Sequence, residues 1–221
     1  MNITWLAHAA FLIEGAGVRI ITDPYTPSSI GFATIDEKAD IVVRSSADDL
    51  GHCNAAMIPG DPVVVTATEV GPEGVEARGV HFAAIPAQES LIYKAAPADN
   101  AMYRFTLDGV RVAHFGDVGN RLEESQLAAL AGADVWLVPA GGPPTIDLDD
   151  LVDAIEALQP RVIIPMHYQL PSATFKMLPV AEFTGRFPAE EVVWQSGPTL
   201  ALTADTLPSQ RRVYVLPPTT A

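Results

Sequence analysis

Side chains able to do chemistry recur along this chain, each just after a short apolar run: His8, Asp23, the pair Asp48-Asp49, Glu89, Asp117 and His167. Imidazoles and carboxylates are the groups of proton transfer and of divalent-metal ligation. Residues at strand ends gather on one rim of a sheet, where a rigid scaffold holds a site. Each residue also has a plainer reading. Asp117, inside Gly116-Asp117-Val118-Gly119, can bond the backbone of its own turn, and His167 can be a satisfied buried histidine. Asp48-Asp49 can cap a helix, Asp23 can cap the turn before Pro24, and Glu89 needs solvent or a partner.

The elements that position these residues follow from hydropathy patterning. Ile3-Thr4-Trp5-Leu6, Ala10-Phe11-Leu12-Ile13-Glu14 and Val18-Arg19-Ile20-Ile21 predict strands, the last two joined by a Gly15-Ala16-Gly17 turn. Further strands are expected over 40–43, 62–66 and 80–86. Asp108-Gly109 gives a type I′ hairpin signal between Met102-Tyr103-Arg104-Phe105-Thr106-Leu107 and Val110-Arg111-Val112-Ala113-His114-Phe115. Helical spacing covers 123–131 and 149–158, each followed by a buried strand, at 134–139 and 161–165. Asp147-Leu148-Asp149-Asp150 reads as an N-terminal cap. The Pro-rich region from about Ser172 has strand candidates at 191–194 and 212–215, and either covers the site or forms a subunit contact.

Composition bounds the function. The chain has 221 residues, 48% of them hydrophobic, and a formal net charge of −14. That length buries one substantial core. The charge disfavours nucleic acid and anionic membrane as partners, since both need Lys and Arg. A small molecule is the expected partner. The single cysteine, Cys53, excludes an intramolecular disulfide framework and reads as a small buried group. No basic segment leads into an apolar run at the N-terminus and no stretch is long enough to span a membrane, so a cytoplasmic location is expected.

Ile3-Thr4-Trp5-Leu6-Ala7-His8-Ala9, Thr22-Asp23-Pro24, His114-Phe115-Gly116-Asp117-Val118-Gly119 and Val162-Ile163-Ile164-Pro165-Met166-His167-Tyr168 together resemble the metallo-β-lactamase superfamily. The likeness covers about residues 1–170 and is strongest to the branch that contains ascorbate-6-phosphate lactonase. It implies an α/β (α+β) fold, a four-layer αββα sandwich, with residues 1–221 forming a single domain and metal ions at one edge of the sheets. A homo-oligomer is compatible with that family.

The resemblance carries over only in part. The family's first metal loop, His-x-His-x-Asp-His, falls on Ser45, Ala47, Asp49 and Leu50, so only Asp49 is kept. The next family histidine falls at Glu89, the bridging aspartate at Asp117 and the last histidine at His167. The expectation is therefore one divalent ion, Zn²⁺ or Mn²⁺, held by Asp49, His52, Glu89, Asp117 and His167 in a degenerate site. Such an oxygen-rich set favours a harder ion. His8, Asp23 and Asp48 are expected beside the ligands or the substrate. The implied activity is hydrolysis of a small ester, lactone or phosphoester through metal-bound water, with Asp49 or His52 managing the proton. The other reading is an inactive relic of the fold that binds a small molecule or a protein.

Overall fold

The computed structural model describes residues 1–47, 51–90 and 99–219. Asp48 and Asp49 lie outside the described residues. Strands β1 (Asn2–Ala7), β2 (Ala10–Gly15), β3 (Val18–Thr22), β4 (Ile41–Arg44) and β5 (Val63–Thr66) follow in chain order. They are succeeded by β6 (Val75–Ala77), β7 (Val80–Ala87), β8 (Asn100–Leu107), β9 (Val110–His114) and β10 (Val135–Pro139). The last are β11 (Val162–Met166), β12 (Val192–Trp194), β13 (Thr199–Ala201) and β14 (Arg212–Val215). The helices are α1 (Pro27–Ile30), α2 (Glu124–Leu130), α3 (Leu148–Leu158) and α4 (Val180–Thr184).

Two sheets result. One has the order β13-β1-β2-β3-β4-β5, the other β12-β14-β11-β10-β9-β8-β7-β6. In the first sheet β1, β2 and β3 are antiparallel neighbours, while β3-β4-β5 are parallel. In the second, β9-β10-β11 are parallel, and their crossovers carry α2 and α3. Successive right-handed crossovers in one direction place both helices on the same outer face of that sheet. Covered on both faces, β10 and β11 are buried at every residue, as parallel strands usually are. This mixed α/β arrangement of two sheets with few helices is the expected fold class.

The core includes Trp5, Phe11 and Tyr103 between the sheets and Phe115 and Trp136 on the helix-covered face, all fully buried. Burying a side chain of this size stabilises the fold by about 2–3 kcal/mol. The hairpins form as their turn residues dictate. Asp108 and Gly109 have φ of 49° and 75°, the two positive values a type I′ turn requires, and Leu107 pairs with Val110. Asp147 caps α3 by accepting the Asp149 N–H at 2.8 Å.

Candidate metal centre

Each sheet delivers two side chains to one rim. His8 follows β1 and His52 follows β4, both in the six-stranded sheet; Asp117 follows β9 and His167 follows β11, both in the eight-stranded sheet. The sheets are stitched together at this seam. The His167 N–H donates to the His8 carbonyl at 3.1 Å, and the Ala101 N–H donates to the Ser45 carbonyl at 2.9 Å. The Trp5 indole N–H also donates to His8 O at 2.9 Å, fixing the backbone where the chain turns back into β2. His8, Asp23 and His167 have φ of 53°, 33° and 50°, the left-handed region that favours glycine.

His52 is set by two clamps on its loop. The Thr26 N–H reaches Gly51 O at 3.3 Å, and the Asn54 N–H reaches Pro24 O at 2.8 Å. Its Nδ1 lies 3.3 Å from Cys53 Sγ, which leaves Nε2 facing the seam. Asp117 is set by the glycine-rich turn. Gly116 has φ +54°, and the Asp117 N–H donates to Asn100 Oδ1 at 3.3 Å.

One carboxylate oxygen sits at the centre. Asp117 Oδ2 is 2.8 Å from His52 Nε2 and 3.1 Å from His167 Nε2. The His8 ring lies beside that of His167, with centroids 4.1 Å apart. Donor atoms of His8, Asp117 and His167 all fall within 4.8 Å of one another. His8, His52, Asp117 and His167 are each at most 5% exposed. Burial works to raise the Asp117 carboxyl, but the His167 and His52 imidazoles beside it hold it well below the usual carboxylate range.

This donor set fits a divalent ion. Ligand atoms around a tetrahedral ion with bonds of about 2.0–2.2 Å stand about 3.3–3.6 Å apart, a few tenths of an ångström wider than the two hydrogen-bonded separations at Asp117 Oδ2. Asp117 Oδ1 and His167 Nδ1 are buried with no hydrogen-bond partner among the described residues. Three imidazoles and one carboxylate are richer in nitrogen than the oxygen-rich set expected from sequence. That shifts the preference from harder ions toward Zn²⁺.

Asp23 lies behind this centre. Its Oδ1 accepts the Ser45 N–H at 2.7 Å and its Oδ2 accepts the Ser45 hydroxyl at 2.9 Å. Cys53 is buried as expected, yet its thiol is a hydrogen-bonding partner and not an apolar filler. Sγ accepts the Ser46 N–H at 3.3 Å and lies 3.8 Å from Asp23 Oδ1. Asp23, His52 and Cys53 thus form a bonded support that turns His52 toward Asp117, as partners behind metal ligands do.

His114 is a structural histidine in the same layer. Its Nε2–H donates to Ala9 O at 2.9 Å, and Nδ1 accepts the Gly116 N–H at 3.0 Å. Burial pushes its imidazole down to about 4, while burial pushes the Asp23 carboxyl up to about 7. The two shifts act on stability with opposite signs. The histidine's contribution is complete above its unfolded value near ~6.5 and is lost as pH falls through 4; the total is about 3 kcal/mol. The aspartate's is complete below its unfolded value near ~3.9 and is lost as pH rises through 7. Urea unfolding between about pH 4.5 and 7 is therefore expected to show stability rising with pH in Asp23→Asn and falling in His114→Gln, with the wild type flatter than either. Parallel slopes in the two variants would contradict these assignments.

A cavity of about 200 Å³ opens onto the centre, lined by His8, His52, Glu89, Asp117 and His167 together with Ile30, Phe175 and Met177. The Pro-rich region after Ser172 supplies part of its cover. Thr174 bonds through its N–H to Ile30 O at 3.2 Å, Met177 N–H donates to Gln169 Oε1 at 2.9 Å, and Leu178 N–H donates to Gly141 O at 2.9 Å. These bonds tie residues 169–178 to both halves of the rim and seat the Phe175 ring 5.6 Å from that of His8.

Of the residues singled out from sequence, the structure brings His8, His52, Glu89, Asp117 and His167 to one cavity and places Asp23 behind it. Asp48 and Asp49 lie outside the described residues. His8, expected beside the ligands, stands among the candidate ligands themselves. Sequence reasoning missed Ser45, Asn100, Phe175 and Met177 as site residues. Only the approach of Ser45 to the aspartate of Thr22-Asp23-Pro24 had any signal, through its place at a lost ligand position.

Comparisons with known proteins point to one family. Residues 2–167 match the family model described as the beta-lactamase superfamily domain. A UPF0173 metal-dependent hydrolase of Pelotomaculum thermopropionicum is 28% identical over 193 residues, spanning 76% of this chain and 84% of that one. A protein of the same description from Archaeoglobus fulgidus is 29% identical over 193 residues, spanning 76% and 83%. The crystal structure of a metallo-beta-lactamase superfamily member from Thermotoga maritima superposes with a TM-score of 0.76 at 28% identity, covering 97% of each chain.

Proposed function

Because the chain belongs to the metallo-β-lactamase superfamily, we propose that it is a divergent metal-dependent hydrolase acting on a small ester, lactone or phosphoester. The observation that carries this reading is the convergence of three imidazoles and the Asp117 carboxylate on one buried cavity, with Asp117 Oδ1 unpartnered among the described residues. One divalent ion, Zn²⁺ or Mn²⁺, would be held by Asp117, His167 and His52, with His8, Glu89 or Asp49 completing the set. Bound there, it supplies a Lewis acid and a water acidified to react near neutral pH. The chain's own residues do the rest. Asp117 neutralises charge at the centre, and His52 either ligates or moves a proton at Nε2, a task it shares with Asp49. The cavity walls hold the substrate and exclude water.

We read residues 1–221 as one domain, of the branch that includes ascorbate-6-phosphate lactonase, with a degenerate first metal loop. Protein purified without chelators is expected to contain about one divalent ion per chain by elemental analysis. Zn²⁺ or Mn²⁺ at ~100 times Kd should stabilise metal-stripped protein by about 2.7 kcal/mol, read as a raised melting temperature. No bound metal and no thermal shift would overturn the proposal.

One observation favours a second reading, a non-catalytic binding protein. Ser45, at the first lost ligand position, replaces an imidazole and commits both its amide and its hydroxyl hydrogen to Asp23. Metal-dependent turnover of any generic ester or phosphodiester would exclude that reading.

A further inference from the structure

The cavity over the centre is small, and its described lining lacks positive charge. At about 200 Å³ it falls below the ~300–1,000 Å³ of typical small-molecule sites. Its described lining holds two carboxylates, Glu89 and Asp117, and no Lys or Arg. Lys176 separates Phe175 from Met177 in sequence, but it is exposed and outside the lining. The chain as a whole carries −14, a field that lowers the local concentration of anions.

Resting on the hydrolase reading above, we infer that the substrate is a compact, uncharged, largely apolar carbonyl compound such as a short-chain neutral ester, and that Phe175 and Met177 select it. A substrate carboxylate or phosphate away from the reacting centre would lose its water beside Glu89 and Asp117 with no cation in the described lining to pair it. An alkyl or aryl group instead gains contact with Ile30, Phe175 and Met177. Phe175 is held edge-on to His8, with rings at 74°, so the apolar wall directly abuts the polar one. A carbonyl at the imidazoles therefore places its apolar substituent against Phe175. Within the ester, lactone and phosphoester range, this narrows the substrate to neutral acyl compounds.

The test separates binding from turnover. Metal-free protein is titrated with acetophenone, a neutral ketone that is not hydrolysed, and with benzoate and phenylphosphonate, anions of similar size, using saturation-transfer NMR. Acetophenone is expected to bind at least about tenfold more tightly than either anion, and Phe175→Ala to weaken it about tenfold. Phe175 is only partly buried, and an unchanged melting temperature confirms that the variant is folded. In Mn²⁺- or Zn²⁺-loaded protein, 4-nitrophenyl acetate should be turned over with a kcat/KM at least tenfold above that of 4-nitrophenyl phosphate. Phe175→Ala should raise its KM with little change in kcat. Equal or tighter binding of the anions, or acetophenone binding indifferent to Phe175→Ala, overturns the inference. Failure of every metal to confer turnover overturns the hydrolase reading instead, and leaves the NMR result to judge the cavity on its own.

Discussion

Replacing Asp117 with asparagine is expected to lower metal-dependent kcat/KM by at least about 10³-fold, a loss of about 4 kcal/mol of transition-state stabilisation. The side chain keeps its shape but loses its charge, and the charge is what both neighbouring imidazoles face. His52 Nε2 at 2.8 Å and His167 Nε2 at 3.1 Å share the oxygen Oδ2. An amide there can orient its oxygen toward both N–H groups, so the metal-free fold should lose only about 1–2 kcal/mol as charge-assisted bonds become neutral ones. The two readouts therefore separate. Melting of the metal-stripped variant should stay within several degrees of wild type, while its thermal shift on adding Zn²⁺ or Mn²⁺ should vanish. Activity within tenfold of wild type, or an unchanged metal shift, would remove Asp117 from the centre.

Gly116→Ala is expected to damage the fold severely for the addition of one methyl group. A methyl group there would meet Ser45 Cβ at 2.5 Å, and Asn100 Oδ1 and Ser45 Oγ at 2.7 Å each. None of these can move cheaply. Ser45 is buried and bonded twice to Asp23, and Asn100 accepts the Asp117 amide. The residue also holds φ +54°, which disfavours any side chain. Strain and overpacking together should cost about 3–4 kcal/mol, or roughly 6–16 °C of melting temperature in a chain of this length. Gly17→Ala supplies the control. Its φ is +75°, but nothing lies within 4 Å of the added carbon, so only the conformational part, about 1 kcal/mol, should appear. Equal losses at the two positions would mean that the seam around Gly116 yields.

Much of this architecture is legible in the sequence because strands and tight turns write locally. The hairpin at Asp108-Gly109, the α3 cap at Asp147, and the strand-end positions of His8, Asp117 and His167 each follow from a few adjacent residues. Strands β6 and β13, three residues long, carry too little alternation to be seen; β6 turns straight into β7 across Arg78-Gly79, whereas the pairing of β13 with β1 is decided by a distant partner. The same limit explains Asn100 and Phe175. Asn100 looks like the polar start of an ordinary strand, and only the return of β9 beside it brings the Asp117 amide into reach. Phe175 sits in an irregular segment whose place over His8 is set by bonds to Ile30 and Gly141, neither of them near it in sequence. The nitrogen-rich character of the centre was hidden for a related reason, since His8 and His167 meet only because the two sheets close on each other.

The left-handed backbone at His8 and His167 shows how the two turns are held. A residue with a side chain in that region costs about 1–2 kcal/mol relative to glycine. Both rings are buried, at 3% and 4% exposure, and pack on each other with centroids 4.1 Å apart. Glycine at either position would relieve the backbone and leave a void where an imidazole now packs, at a cost of about 2–5 kcal/mol. Each histidine thus secures, through its own ring, the strained turn that aims it.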